Sequence, residues 1–347
     1  VQTRVAVIGA GSWGTTVASM LAGRAPTVLW AREPEVADAL GAGRGNPVFL
    51  PGVPLDPALR ATTDLGEAVD GAGLVVVAVP TQHLRSVATE LAARWGAVAA
   101  GAVVISLAKG IEQHTLRRPS EVLTELLGGQ DPARIGVLSG PNLAREIAAG
   151  QPAATVVAAA DPDAARFAQR LLMHSRFRVY TSHDVVGCEI GGAVKNVIAI
   201  GAGIADGLGY GWNARAALIT RGLAELARLG VALGGEPLTF LGLAGNGDLI
   251  ATCSSDESRN RRVGVALGRG RPLAEILGEM RMVAEGVASA PAVLELAATC
   301  GVEMPISAEV AAVLRGERSP AGAVEALMGR EPTTELHDLP PVGRPRP

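Results

Sequence analysis

Residues Gly9-Ala10-Gly11-Ser12-Trp13-Gly14 constrain this chain more than any other stretch, because of what stands on either side of them. A β-branched run, Arg4–Ile8, leads into the three glycines, and an alanine-rich helical stretch, Thr15–Ala22, leads out towards a second apolar run at Thr27–Trp30. Glycines there permit a tight turn out of a strand and let backbone N–H groups approach a pyrophosphate set on the next helix's N-terminus. GxGxxG alone is a weak signal; between a strand and a helix that leads to a second strand it marks a dinucleotide-binding βαβ unit. Gly9, Gly11, Ser12, Trp13 and Gly14 are therefore candidate cofactor contacts.

The alternation continues with apolar runs at Leu74–Val79 and Val103–Leu107, then at Ile135–Leu138, Ala154–Val157 and Phe177–Tyr180, with an amphipathic helix expected over Pro162–Met173. Strands that alternate with helices build a parallel sheet covered on both faces. After Ser182 the pattern changes: Asp184 is a candidate N-cap, and the chain reads helix after helix to about Arg330. The expected fold is α/β, with an N-terminal Rossmann-like domain and mostly parallel sheet over 1–182 and an all-α C-terminal domain over 183–330. A mobile, proline-rich tail is expected over 331–347. A length of 347 residues at 48% hydrophobic content supports two cores.

Several function classes drop out. A net charge of -3 gives no broad attraction for nucleic acid. The longest apolar stretch, Ile190–Ala205, carries Lys195 and Asn196 near its middle and is shorter than the roughly 20 residues of a membrane span, so it reads as a buried helix rather than a membrane insertion. Cys188, Cys253 and Cys300 are odd in number and widely spaced, which argues against disulfides or zinc and for a reducing cytoplasm. The first apolar run passes straight into the glycine loop, unlike a signal peptide. His83, His114, His174, His183 and His337 show no metal-ligand spacing, and no metal is expected.

Lys109 and Lys195 are the chain's only lysines; every other basic side chain but histidine is arginine. Arginine keeps its proton near neutral pH, whereas lysine loses one readily when desolvated, so these two positions are suspects for chemistry. Further cofactor contacts are expected at strand ends, in Val79-Pro80-Thr81-Gln82, Ala108-Lys109-Gly110 and Ser139-Gly140-Pro141-Asn142. The second strand ends Trp30-Ala31-Arg32-Glu33. Arg32 suits the 2′-phosphate of NADP; the other reading leaves Arg32 solvated and gives the ribose of NAD to Glu33.

GAGSWGT at 9–15, NPVFLPG at 46–52, KGIE at 109–112, SGPNLAREI at 139–147, GAVKNVIAIGAGIADGLGYGWNARAALITRG at 192–222, AGNGDLIATC at 244–253, SRNRRVG at 258–264 and VAEGV at 283–287 resemble the NAD(P)-dependent glycerol-3-phosphate dehydrogenase family of the bacterial type, over nearly the whole chain and in the family's order. The resemblance implies reduction of dihydroxyacetone phosphate, a small phosphorylated three-carbon substrate, with NADH or NADPH, for glycerophospholipid biosynthesis, by a homodimer; Arg32 tips the cofactor reading towards NADPH. It implies that Lys195 is the acid/base, its pKa lowered by burial and a second cation, and that Lys109 faces it from the sheet domain. Arg259 is the expected phosphate contact, with Ser258 and Asn260, while Asp248 fixes Lys195 or accepts from a substrate hydroxyl beside Thr252. Asn196, Gly140 and Asn142 are expected at substrate, and Ala144, Phe49, Pro80, Val283, Glu285, Lys109 and Arg259 at cofactor. Asn142 stands where the family commonly has serine or threonine, and Phe49 where it has tyrosine. The rivals are another two-domain hydroxyacid dehydrogenase, such as a 6-phosphogluconate or ketopantoate enzyme, and a non-catalytic NAD(P)H sensor.

Overall fold

The computed structural model describes residues 3–280 and 282–335; most of the expected tail, 336–347 with His337, lies outside the described residues. Eight strands, β1 (Arg4–Ile8), β2 (Thr27–Trp30), β3 (Arg60–Thr62), β4 (Ala72–Val77), β5 (Val103–Ser106), β6 (Ile135–Ser139), β7 (Ala153–Ala158) and β8 (Phe177–Ser182), form one sheet. Its order is β3-β2-β1-β4-β5-β6-β7-β8. The strand order reverses between β1 and β4, and open α/β sheets bind ligands at the carboxyl ends of strands beside such a reversal.

The central strands β1, β4 and β5 are apolar on both faces because helices cover both. Val5, Val7, Leu74, Val76 and Ile105 point to one layer, with Val17 and Leu21 of the Ser12–Ala22 helix. Ala6, Ile8, Val75, Val77 and Val104 point to the other, with Leu84 and Leu91 of the Thr81–Ala92 helix. Every neighbouring pair is parallel except β6 and β7. The link from β6 to β7 holds only the short Ala144–Ala148 helix, so β7 returns antiparallel, and the Pro162–Leu172 helix then carries β8 across parallel to β7.

Beyond β8 the described chain is helical. The Val185–Gly207 helix starts at Asp184, whose carboxylate accepts from Gly187 N at 2.7 Å and Glu236 N at 2.9 Å, as its N-cap position predicts. It is long and apolar enough to cross a membrane by composition, but 89% of its apolar window is buried inside the protein, which makes it a core helix. The Arg259–Gly268 helix crosses it backbone to backbone. A Cβ on Gly203 would run into Arg261 O, one on Gly264 into Ile200 O, and one on Gly268 would stand 2.5 Å from Ile204 O.

A candidate active site at the strand ends

The carboxyl ends of the parallel strands build one wall of a cleft of about 390 Å³, within the roughly 300–1,000 Å³ usual for small-ligand sites. Gly9 to Gly14 follow β1, Arg32 follows β2, Pro80 follows β4, Lys109 follows β5 and Asn142 follows β6; Phe49 comes from the loop before β3. The facing wall is helical: Lys195 and Asn196 on the central helix, Thr252, then Ser258, Arg259 and Asn260 at the start of the Arg259–Gly268 helix, and Val283 with Glu285. Three expected members stand behind these walls. Asp248 is 2% exposed beneath the lysines, Gly140 reaches the site through its carbonyl, and Ala144 packs against the glycine-loop helix, its carbonyl 3.4 Å from Thr16 Oγ1.

Both lysines meet on one carboxylate. Lys195 Nζ lies 2.7 Å from Asp248 Oδ1 and Lys109 Nζ lies 2.6 Å from Asp248 Oδ2. Lys195 also donates to Thr252 Oγ1 at 2.6 Å, and Thr252 passes its own proton to Asp248 Oδ1 at 3.2 Å. Lys109 donates to Gly140 O at 2.8 Å. Each ammonium has three hydrogens, so each keeps one for the cleft. Gly192 makes room for this: a Cβ there would press on the Lys109 stem at 3.3 Å.

One anion between two cations leaves a surplus positive charge in a buried place. Burial pushes the Lys195 pKa down to about 8, Asp248 opposing the fall and Lys109 adding to it. Burial pushes the Asp248 carboxyl up, but the two lysines outweigh it and hold the group below its ordinary value. The cluster can therefore release a proton near neutrality or accept a further anion. Arg259 is also depressed by burial, with Glu285 as the opposing charge.

The asparagines are oriented by the backbone at both ends of a chain of hydrogen bonds. Gly286 N can only donate, so Asn260 turns Oδ1 towards it at 2.9 Å. Asn260 Nδ2 then donates to Asn196 Oδ1 at 2.8 Å, and Asn196 Nδ2 donates to Lys109 O at 2.9 Å and Gly192 O at 3.2 Å. With both amide hydrogens committed, Asn196 can meet a ligand only as an acceptor, whereas Asn260 keeps one N–H to give. Asn142 is fixed likewise. Thr155 Oγ1 donates to Ser139 O at 2.9 Å and so accepts from Asn142 Nδ2 at 3.1 Å, which leaves Asn142 Oδ1 without a partner among the described residues.

The glycine loop fits a dinucleotide. A Cβ on Gly9 would stand 2.6 Å from Ala78 O and one on Gly14 2.8 Å from the Ala78 side chain, so both are held by close packing, yet a Cβ on Gly11 would meet nothing within 4 Å. That open space lies before the N-terminus of the Ser12–Ala22 helix, where a pyrophosphate belongs. Trp13, which also lines the cleft, keeps Nε1 buried without a partner among the described residues. Arg32 is paired with Glu33 at 2.7 Å and is 72% exposed, so both candidates for the ribose end are present at once.

Two structural contributors lie inside motifs the sequence offers but are not singled out there. Asn46 ties its loop to the glycine turn, donating to Ala10 O at 2.8 Å and Thr15 Oγ1 at 2.9 Å while accepting from Phe49 N at 2.9 Å; in the sequence it opens the NPVFLPG segment. Thr81, one residue past Pro80, donates through N and Oγ1 to Glu285 of the facing wall. Among the described residues, no three His, Cys, Asp or Glu side chains gather as a metal site.

Comparison with known proteins gives concordant results. Residues 4–165 match the model of the NAD-dependent glycerol-3-phosphate dehydrogenase N-terminus and residues 184–325 that of its C-terminus. A glycerol-3-phosphate dehydrogenase [NAD(P)+] of Thermobifida fusca is 53% identical over 340 residues, 97% of this chain and the whole (100%) of that protein. The crystal structure of glycerol-3-phosphate dehydrogenase from Coxiella burnetii superposes with a TM-score of 0.89 at 37% identity, covering 95% of this chain and 99% of that one. A ketopantoate reductase of Ralstonia eutropha shares the fold alone, at TM-score 0.59 and 18% identity over 90% of this chain and 97% of its own.

Proposed function

The chain belongs to the NAD-dependent glycerol-3-phosphate dehydrogenase family, and on that premise we propose that it reduces dihydroxyacetone phosphate to sn-glycerol 3-phosphate with NAD(P)H, supplying glycerophospholipid synthesis. The observation that carries the reading is the Lys195–Asp248–Lys109 cluster on the floor of a cleft whose other end is the glycine loop. A dinucleotide held by its pyrophosphate at that loop would supply, from its dihydronicotinamide, the hydride for the substrate's ketone carbon. Lys195 Nζ gives its third N–H to the ketone oxygen and transfers that proton as negative charge develops there, the role for which a pKa near the working pH is suited. Thr252 and Asp248 hold Nζ in place, and Asp248 stays ionised. Lys109 offers its remaining N–H to the same oxygen or its neighbour hydroxyl.

The phosphate is assigned to Arg259, Asn260 and the backbone N–H groups opening the Arg259–Gly268 helix, with Ser258 Oγ beside them. Among the described residues Arg259 has no carboxylate within ion-pair distance, so its fork is available, and Asn260 has the spare N–H. Asn196 Oδ1 accepts from a substrate hydroxyl, while Asn142 and Gly140 line the sheet side. Gly9, Gly11, Ser12, Trp13, Gly14, Phe49, Pro80, Ala144, Val283 and Glu285 are assigned to the cofactor, with Arg32 favouring NADPH. We place the enzyme in the cytoplasm as a homodimer: its cysteines are free thiols, and Trp212, Leu238 and Leu241 leave apolar surface uncovered.

The test is NADPH oxidation with dihydroxyacetone phosphate against ketopantoate as the rival ketone. Turnover of the first and not the second is expected. Turnover of ketopantoate alone would transfer the chain to the other branch, and tight NADPH binding with no turnover of either would make it a sensor.

A further inference from the structure

The Thr81–Ala92 helix begins without a cap of its own. Its N-cap position is Pro80, whose side chain has no acceptor, yet Thr81 at the first helical position is only 1% exposed. A buried N–H at a helix start needs an acceptor from somewhere. It comes from Glu285, 204 residues further on: Oε1 accepts from Thr81 N at 3.2 Å and Oε2 from Thr81 Oγ1 at 3.0 Å. Glu285 opens the Glu285–Thr299 helix, on the opposite wall of the cleft.

The surroundings admit this contact and little else. A Cβ on Gly110, the residue after Lys109, would stand 2.7 Å from Glu285 Oε2 and Ser289 Oγ and 2.8 Å from Thr81 Oγ1, so a side chain there would displace the contact. The same helical turn is tied down twice more, Gly286 N donating to Asn260 Oδ1 at 2.9 Å and Gln113 Nε2 to Ala288 O at 2.8 Å. A carboxylate at a helix N-terminus also gains from the helix dipole.

We propose that Glu285 caps the Thr81–Ala92 helix from across the cleft, and that Thr81 is thereby a positioning residue whose hydroxyl holds the two halves together over the dinucleotide and sets how fast it leaves. This rests on the reading of the cleft as a dinucleotide site with Glu285 at its rim. Opening the cleft takes Glu285 from Thr81 and leaves the helix start to water. Closing restores the hydrogen bonds between Thr81 and the buried Glu285 carboxyl group, an interaction worth about tenfold in a binding constant.

Thr81→Val keeps the shape and loses the hydroxyl donor; Thr81→Ser keeps the donor. NADPH is titrated by its fluorescence and its release followed by stopped flow, together with kcat and KM for dihydroxyacetone phosphate. Thr81→Val should weaken NADPH binding about tenfold through faster release, with kcat unchanged or raised, and Thr81→Ser should bind as the parent does. In a Glu285→Ala background the valine should add nothing. Thr81→Ala gives the same readout where Thr81→Val does not fold. The cap is overturned if the valine protein releases NADPH at the parent rate, if serine behaves as valine does, or if the two substitutions are additive. A parent protein that binds no NADPH would instead refute the cofactor reading.

Discussion

In the loop after β1, the Cβ missing from Gly11 leaves open space in front of a helix N-terminus; where the Val185–Gly207 and Arg259–Gly268 helices cross, the space left by Gly203 and Gly264 is filled by the partner's backbone. The same residue type thus leaves room open in the sheet half and lets backbones touch in the helical half. The difference extends to the site. The sheet half brings backbone and strand ends to the cleft, whereas the helical half brings most of the buried polar side chains, on helices that cross backbone to backbone.

Lys195→Ala puts that division to its hardest trial. Turnover should fall by about two orders of magnitude or more while NADPH binding is unchanged, measured by steady-state kinetics and fluorescence titration. Surviving turnover would move the chemistry out of the helical half. Gly264→Ala should lower stability by about 3 kcal/mol in denaturant unfolding, since the new methyl meets Ile200 backbone. Gly11→Ala should leave stability unchanged or slightly raised and weaken NADPH by about an order of magnitude, the loss of one charge-assisted contact. Equal stability changes at the two glycines would dissolve the contrast.

Smaller effects sharpen it. A general acid must be protonated, so kcat for ketone reduction should decline as pH rises through about 8. Asp248 raises the Lys195 pKa, so Asp248→Asn should move that decline about one unit or more towards acid in a pH–rate profile. An unmoved profile would assign the titration elsewhere. In the sheet half, Arg32→Ser should shift the NADPH to NADH preference by only about fivefold, because an exposed guanidinium is screened.

The two halves also differed in how far the sequence could be read. β1 and β2 are found where the apolar runs place them, since short β-branched stretches bounded by turns leave few alternatives. β3 is too short to show periodicity. The reversal at β7 is invisible to a pattern that records alternation but not the reach of a connection. Lys109 and Lys195 stood out by their rarity and do meet. That Asp248 holds both at once, and that Asn196 and Asn260 bind each other, depends on rotamers and crossing geometry which a one-dimensional pattern does not encode. Thr81 belonged to a strand-end segment without standing out in it, because its partner comes from the other half.

With both lysine ammonium groups converging on Asp248, no side-chain amine is left on the outer surface of the described chain. Acylating and aldehyde reagents therefore find their lysine targets only inside the cleft, and the extent of labelling at positions 109 and 195 measures how much of the pocket is shielded. Cross-links that start from a lysine of the described chain can, for the same reason, start only from within the cleft.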